Sequence, residues 1–209
     1  MTARSLVIAL RPNDDLSKRL LAAKGNLHAA CGTQTYLDHP PHATLFVTSV
    51  ADDAAALAAL QSLAAPLPAP RLESLGWKVF ENDALTGGHT VVCELSATTK
   101  AGLRPVQRLV LERLAPFVDL ETARRRYAAN LAKMPVHRQQ AVEQFGFPFV
   151  GDDWEPHLTV ASIRPADWEA GWTVLRDAPI RGEFTCGALQ VFELRDGFPC
   201  EFATFEFAN

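Results

Sequence analysis

Four cysteines are spread through the 209 residues, Cys31, Cys93, Cys186 and Cys200, and no two of them form a C-x-x-C pair or a zinc-type spacing. That pattern argues against a zinc framework and predicts reduced, mostly buried thiols, as in a cytoplasmic protein. Cations are not in excess. Against 24 Asp and Glu stand 20 Lys and Arg, a formal charge of −4, without the basic face that binding of long nucleic acid needs. A local basic cleft is compatible with that balance. Long apolar runs are missing too. Leu6 to Leu10 is too short for a signal-peptide core, with no small-residue cleavage site after it. Nothing approaches the ~18 apolar residues of a membrane span, so no membrane partner is expected. Gly87-Gly88 lacks the lysine of a phosphate loop, and no serine sits in a nucleophile elbow.

What is present is an ordinary globular composition, 48% hydrophobic and 21% charged, in a chain long enough for one large domain or two small lobes. Leu6 to Leu10 reads as a buried strand. Pro12-Asn13-Asp14-Asp15 opens a helix whose apolar face is Leu16, Leu20, Leu21 and Leu27. His42 to Val50 is a strand, Asp52-Asp53 caps an alanine-rich helix to about Ala64, and Leu72 to Phe80 is a strand. The order then repeats: a strand at Val91 to Leu95, a helix from about Leu103 to Leu114, a strand from His157 to Ile163, a helix opened by Pro165-Ala166-Asp167, and strands from Ile180 to Leu194 and Glu201 to Phe207. The chain thus reads β-α-β-α-β twice. About thirty residues, Asp119 to Val150, are inserted before the second motif strand, and their pattern is helical.

The repeat is sharpest where the two motif strands begin. Pro41-His42-Ala43-Thr44-Leu45 matches Pro156-His157-Leu158-Thr159-Val160, and Thr44 precedes Asp52 by the eight positions that separate Thr159 from Asp167. Residues at i and i+2 share one face of a strand, so His42 sits beside Thr44 and His157 beside Thr159. Lobes related by a pseudo-two-fold axis would bring both pairs to one cleft. Cleaving a phosphoester near neutral pH needs a base for the attacking oxygen and an acid for the leaving one. Histidine, with an ordinary pKa of about 6.5, can do either. Threonine hydroxyls can hold the non-bridging oxygens, where transition-state charge is spread. No metal and no cofactor is needed for such a pair.

These motifs resemble the 2H phosphoesterases, a family of two His-x-Thr/Ser motifs that includes the LigT-like 2′-5′ RNA ligases and cyclic nucleotide phosphodiesterases. The segment from Val136 to Val160, with Arg138-Gln139-Gln140 and Phe145-Gly146-Phe147-Pro148-Phe149, is also similar to a branch linked to phosphonate-utilisation operons, although Phe46 and Val47 stand where that branch often carries a basic residue. The resemblance implies an α/β fold of the α+β type: one domain of two pseudo-symmetric β-α-β-α-β lobes, about residues 1–82 and 88–209, with antiparallel-rich sheets flanking a central cleft. It implies a metal-independent phosphodiesterase acting on a cyclic phosphodiester or 2′-5′-type linkage of a nucleotide or short RNA end, with His42 and His157 as acid and base. The alternatives are a binding module for a phosphorylated metabolite or nucleotide, and RNA 2′-5′ end joining.

Around this pair the sequence offers further substrate-binding candidates. Tyr36 and Trp154, just before the motifs, could stack on a base at the cleft mouth. Of Arg124-Arg125-Arg126, successive helical positions that point apart, Arg126 with Tyr127 could cap the cleft. Lys78 is a weaker candidate for the phosphate. His39 is separated from His42 by two prolines, which removes helical metal-pair geometry. His28, His89 and His137 read as surface or loop residues.

Overall fold

A computed structural model of the chain describes residues 3–208. The predicted alternation holds. The first run is β1 (Arg4–Pro12), α1 (Asp14–Cys31), β2 (Ala43–Val50), α2 (Asp53–Ala64) and β3 (Arg71–Phe80). The second is β4 (His89–Leu95), α3 (Ala97–Leu114), the short helices α4 (Leu120–Arg125) and α5 (Val136–Phe145), β5 (His157–Ile163), α6 (Trp168–Arg176) and β6 (Arg181–Arg195), and β7 (Phe198–Glu206) ends it. Polar residues start the helices as their chemistry dictates. Asn13 Oδ1 accepts from Leu16 N at 3.1 Å, and Asp52 Oδ1 from Ala55 N at 3.0 Å. α3 starts earlier than its apolar pattern predicts, because Ser96 Oγ accepts from Thr99 N at 3.2 Å. Asp167, matched to Asp52 by spacing, caps nothing; its carboxylate is held by Gln34 and Arg164 instead.

All seven strands form one antiparallel sheet in the order β2-β1-β6-β3-β4-β5, with β7 also on β6. This α+β order reads the same from both ends when each strand of one run is exchanged for its counterpart in the other: β2 for β5, β1 for β4, β6 for β3. The third strand of each run is therefore traded. β3 pairs with β4, and β6 pairs with β1. The lobes are interleaved rather than cut at residues 82–88. β6 spans both, its first residues on β3 and the rest between β1 and β7. Interleaving spares each lobe a second exposed edge.

The apolar faces of the sheet and helices share one core, including Leu6, Ile8, Leu10, Leu45, Phe46, Val91, Val160 and Val191. Leu16, Leu20 and Leu27 of α1 enter it as expected, but Leu21 is 52% exposed. Lys24 takes the buried place, its Nζ donating to the carbonyls of Tyr36 at 2.8 Å and Leu37 at 3.2 Å. Burial lowers its pKa to about 8, against the pull of Asp38. α6 packs closely on α1 because Gly171 has no side chain; a Cβ there would lie 2.9 Å from Leu27 Cδ1. Among the described residues no helix is long and apolar enough to cross a membrane.

Candidate active site

Both motif strands lie at sheet edges, and in both the residue after the threonine is a β-bulge. Ala9 pairs with Thr44 and Ile8 with Phe46, leaving Leu45 extra; Val92 pairs with Thr159 and Val91 with Ala161, leaving Val160 extra. Bulges re-aim the side chains beside them. Here Leu45 and Phe46, like Val160 and Ala161, all join the core, while Thr44 and Thr159 keep the opposite face. The free edges are covered. Val118 bridges to Val50 and Asp119 N donates to Ser49 O at 2.8 Å, whereas Ser162 N donates to Thr35 O at 2.8 Å. Gln107, 1% exposed, donates to the bulge carbonyl of Leu45 at 3.0 Å and to Phe149 O at 2.9 Å.

The two imidazoles are held alike. His42 Nδ1 lies 2.7 Å from Pro40 O and His157 Nδ1 2.8 Å from Glu155 O. A carbonyl only accepts, so Nδ1 of each ring carries the proton and Nε2 is left for chemistry. Each ring also leans on a phenylalanine, His42 on Phe192 (centroids 5.1 Å) and His157 on Phe80 (5.5 Å). Phe192 and Phe80 occupy matching places on the traded strands β6 and β3. Burial is the main cause that lowers the His42 pKa, to about 4; its Pro40 hydrogen bond opposes this, while His39, Lys24 and His157 act with it. The His157 pKa is also lowered, first by burial, with the Glu155 carbonyl and carboxylate opposing and Lys78 and Lys100 assisting. The charge of one motif histidine is thus felt by the other, and β2 and β5 touch.

The charged surroundings differ. Lys78 of β3, on the row Thr159–Val92–Lys78, pairs with Glu155, as does Lys100 at 3.0 Å, and Glu94 lies 3.8–3.9 Å from both amines. The two lysines hold the Glu155 carboxyl down to about 2. The row Thr44–Ala9–Gln190 has an amide where the other has a lysine. Glu94, Lys100, Glu155, Phe80, Phe192 and Gln190 escape sequence inspection because they come from several strands, a helix and a loop. Only the two-residue offsets Pro40/His42 and Glu155/His157 are a local signal.

The outlying candidates separate. Tyr36 is half-buried, edge-on to His39 at 5.2 Å, with its pKa raised by burial and by Asp83. Trp154 is not at the cleft mouth. It is 5% exposed and its Nε1 donates to Thr44 O at 2.9 Å, so it bolts the approach to the second motif onto the first motif strand. Arg126 donates to Ser5 Oγ at 2.9 Å. Ser5 precedes Ala9, the partner of Thr44, by four residues, so Arg126 reaches the sheet about 13 Å from the motif. His89 is half-buried against Trp168 rather than a free loop residue, and His28 and His137 are on the surface. The insert packs outside β2, with Phe147 edge-on to Phe46.

Comparison with known proteins places this geometry. The family described as the 2′-5′ RNA ligase superfamily matches residues 12–197. Among curated proteins none matches the chain. TT0787 of Thermus thermophilus is 15% identical with a TM-score of 0.59, each chain covered to 97%. E. coli LigT, solved with NADP+, is 11% identical with a TM-score of 0.53 over the whole of both chains; LigT has also been solved with phosphate, at 12% identity and a TM-score of 0.52. At such identities the likeness is one of fold, and it agrees with the family match and the paired His-x-Thr strands. The chain belongs to the 2′-5′ RNA ligase superfamily and has the LigT-like frame of the 2H phosphoesterases.

Proposed function

We propose that the chain is a metal-independent phosphodiesterase that opens a cyclic phosphodiester, or cleaves a 2′-5′-type linkage, on a nucleotide or short RNA end. One observation carries this: each motif histidine donates its Nδ1–H to the carbonyl two residues back, which leaves Nε2 free to act at both matched positions. Membership of a phosphodiester-processing superfamily supports it, as does LigT, a neighbour solved with phosphate and with NADP+.

His42 Nε2 takes a proton from the attacking water as its oxygen bonds to phosphorus. His157, protonated at both nitrogens, gives the Nε2 proton to the leaving oxygen as the P–O bond breaks. His42 is assigned the base because its charged neighbours are all cations, whereas His157 has Glu155 to favour its charged form. Thr44 and Thr159 donate to the non-bridging oxygens, and Lys78, in line with Thr159, offsets developing charge. Replacing either histidine by alanine is expected to lower kcat by ~10²–10⁴-fold on 2′,3′-cyclic nucleotides or 2′-5′ dinucleotides, with EDTA without effect. Full activity in either variant removes the paired mechanism, and loss of activity in EDTA removes its metal independence.

A further inference from the structure

The surroundings of the two motif histidines are built on one plan, and the place where they depart from it is beside His42. Around His157 the side chains at matched positions, Lys78 and Glu94, are charged and pair within the Lys78–Glu155–Lys100 cluster. Beside His42 the counterparts are Gln190 and Arg11, and next to them opens a cavity of about 540 Å³. Its walls are Leu21 of α1 and the turn carrying Leu37, Pro40 and Pro41, whose Pro40 carbonyl also holds the His42 ring. Gln190 lines it, is 1% exposed, and its amide nitrogen has no hydrogen-bond partner. A buried amide without a partner is a cost to the fold that a ligand edge can offset.

The charges at the rim cancel. Arg11 and Lys24 are matched by Asp38 and Glu201; Arg11 is also bound by Glu206 at 3.3 Å and Lys24 by two carbonyls. His39 is held neutral by burial, at about 4. Among the described residues that line the cavity no unpaired cation is left for a second phosphate. Among the remaining lining residues the Ser17 hydroxyl already donates to the Pro12 carbonyl at 3.1 Å, and beside Leu21, Leu37, Pro40 and Pro41 the Gln190 amide offers a donor and an acceptor side by side, the complement of a flat uncharged heterocycle with the same pair on its edge. The volume lies within the ~300–1,000 Å³ of small-molecule sites. Gln190 lies on the row Thr44–Ala9–Gln190, so its side chain is on the same face of the sheet as the Thr44 hydroxyl.

We infer that this cavity takes the nucleobase of the substrate and that the Gln190 amide reads its edge. The inference rests on the phosphodiesterase reading above, and the test separates the two. The kcat/KM values of the four 2′,3′-cyclic mononucleotides and of glycerol 1,2-cyclic phosphate, which has no base, are compared for the wild type, Gln190→Leu and Leu21→Trp. The second variant fills the cavity from an exposed position and so spares the fold. The wild type should prefer at least one nucleotide over the glycerol ester, and each variant should reduce that preference about tenfold, mainly through KM. A preference unchanged in both variants, or absent from the wild type, overturns the subsite. If the wild type turns over none of the esters and no 2′-5′ dinucleotide, the enzymatic reading fails. Nucleotide binding by calorimetry then decides the cavity alone: affinity about tenfold weaker in both variants upholds it, and affinity unchanged or undetectable overturns it.

Discussion

Replacing Trp154 by phenylalanine separates a structural bolt from a substrate platform. The indole N–H donates to the Thr44 carbonyl at 2.9 Å inside a residue that is 5% exposed, so the substitution leaves a buried acceptor unpartnered. An orphaned buried carbonyl costs about 1–3 kcal/mol. The smaller ring leaves a void worth roughly 1 kcal/mol more. Stability should therefore fall by about 2–4 kcal/mol, which in a chain of this length lowers Tm by roughly 6–12 °C, read by calorimetry. Because the lost bond holds Thr44 itself, kcat should fall more than KM rises. A platform for a base would behave in the opposite way, since phenylalanine keeps an aromatic face: Tm would hold and KM would move. A Tm within about 1 °C of wild type would refute the bolt.

Gln107→Leu leaves the Leu45 and Phe149 carbonyls without their shared donor and should cost roughly 2–4 kcal/mol in denaturant unfolding, with the insert loosening first in hydrogen exchange; uniform protection would contradict that order. The acid limb of kcat/KM, which reports the base of the free enzyme, should lie near the His42 value of about 4, so the optimum falls on the acid side of 6.5. The same shift links to stability. Unfolded His42 takes up a proton below about 6.5 while the folded ring resists until about 4, so folding weakens as pH falls across that window; His42→Gln should flatten this part of the curve. Glu155→Gln removes the carboxylate that favours charged His157 and should push its pKa further down, as NMR titration of the imidazole would show; an upward move would contradict the assignment.

Sequence by itself determined the alternation of strands and helices, the duplication, and the two His-x-Thr strands. Those are properties of local periodicity and of a repeated pattern, which survive without knowledge of what packs where. Helix starts were legible where the capping side chain acts on its own backbone, as at Asn13 and Asp52. The matching aspartate, Asp167, turned to Gln34, a partner more than a hundred residues away, and α1 buried Lys24 in place of Leu21 because two carbonyls of the turn after the helix were there to receive the amine. Tertiary structure alone decided that the halves trade their third strands, since which edge a strand joins depends on the edges left open elsewhere. It also decided that Trp154 is buried, that Lys78, Lys100 and Glu155 converge beside His157, and that Gln190 stands alone by a cavity near His42. The physical reason is common to all of these. A strand fixes which way its own side chains point, but the partner each one meets is supplied by another part of the chain.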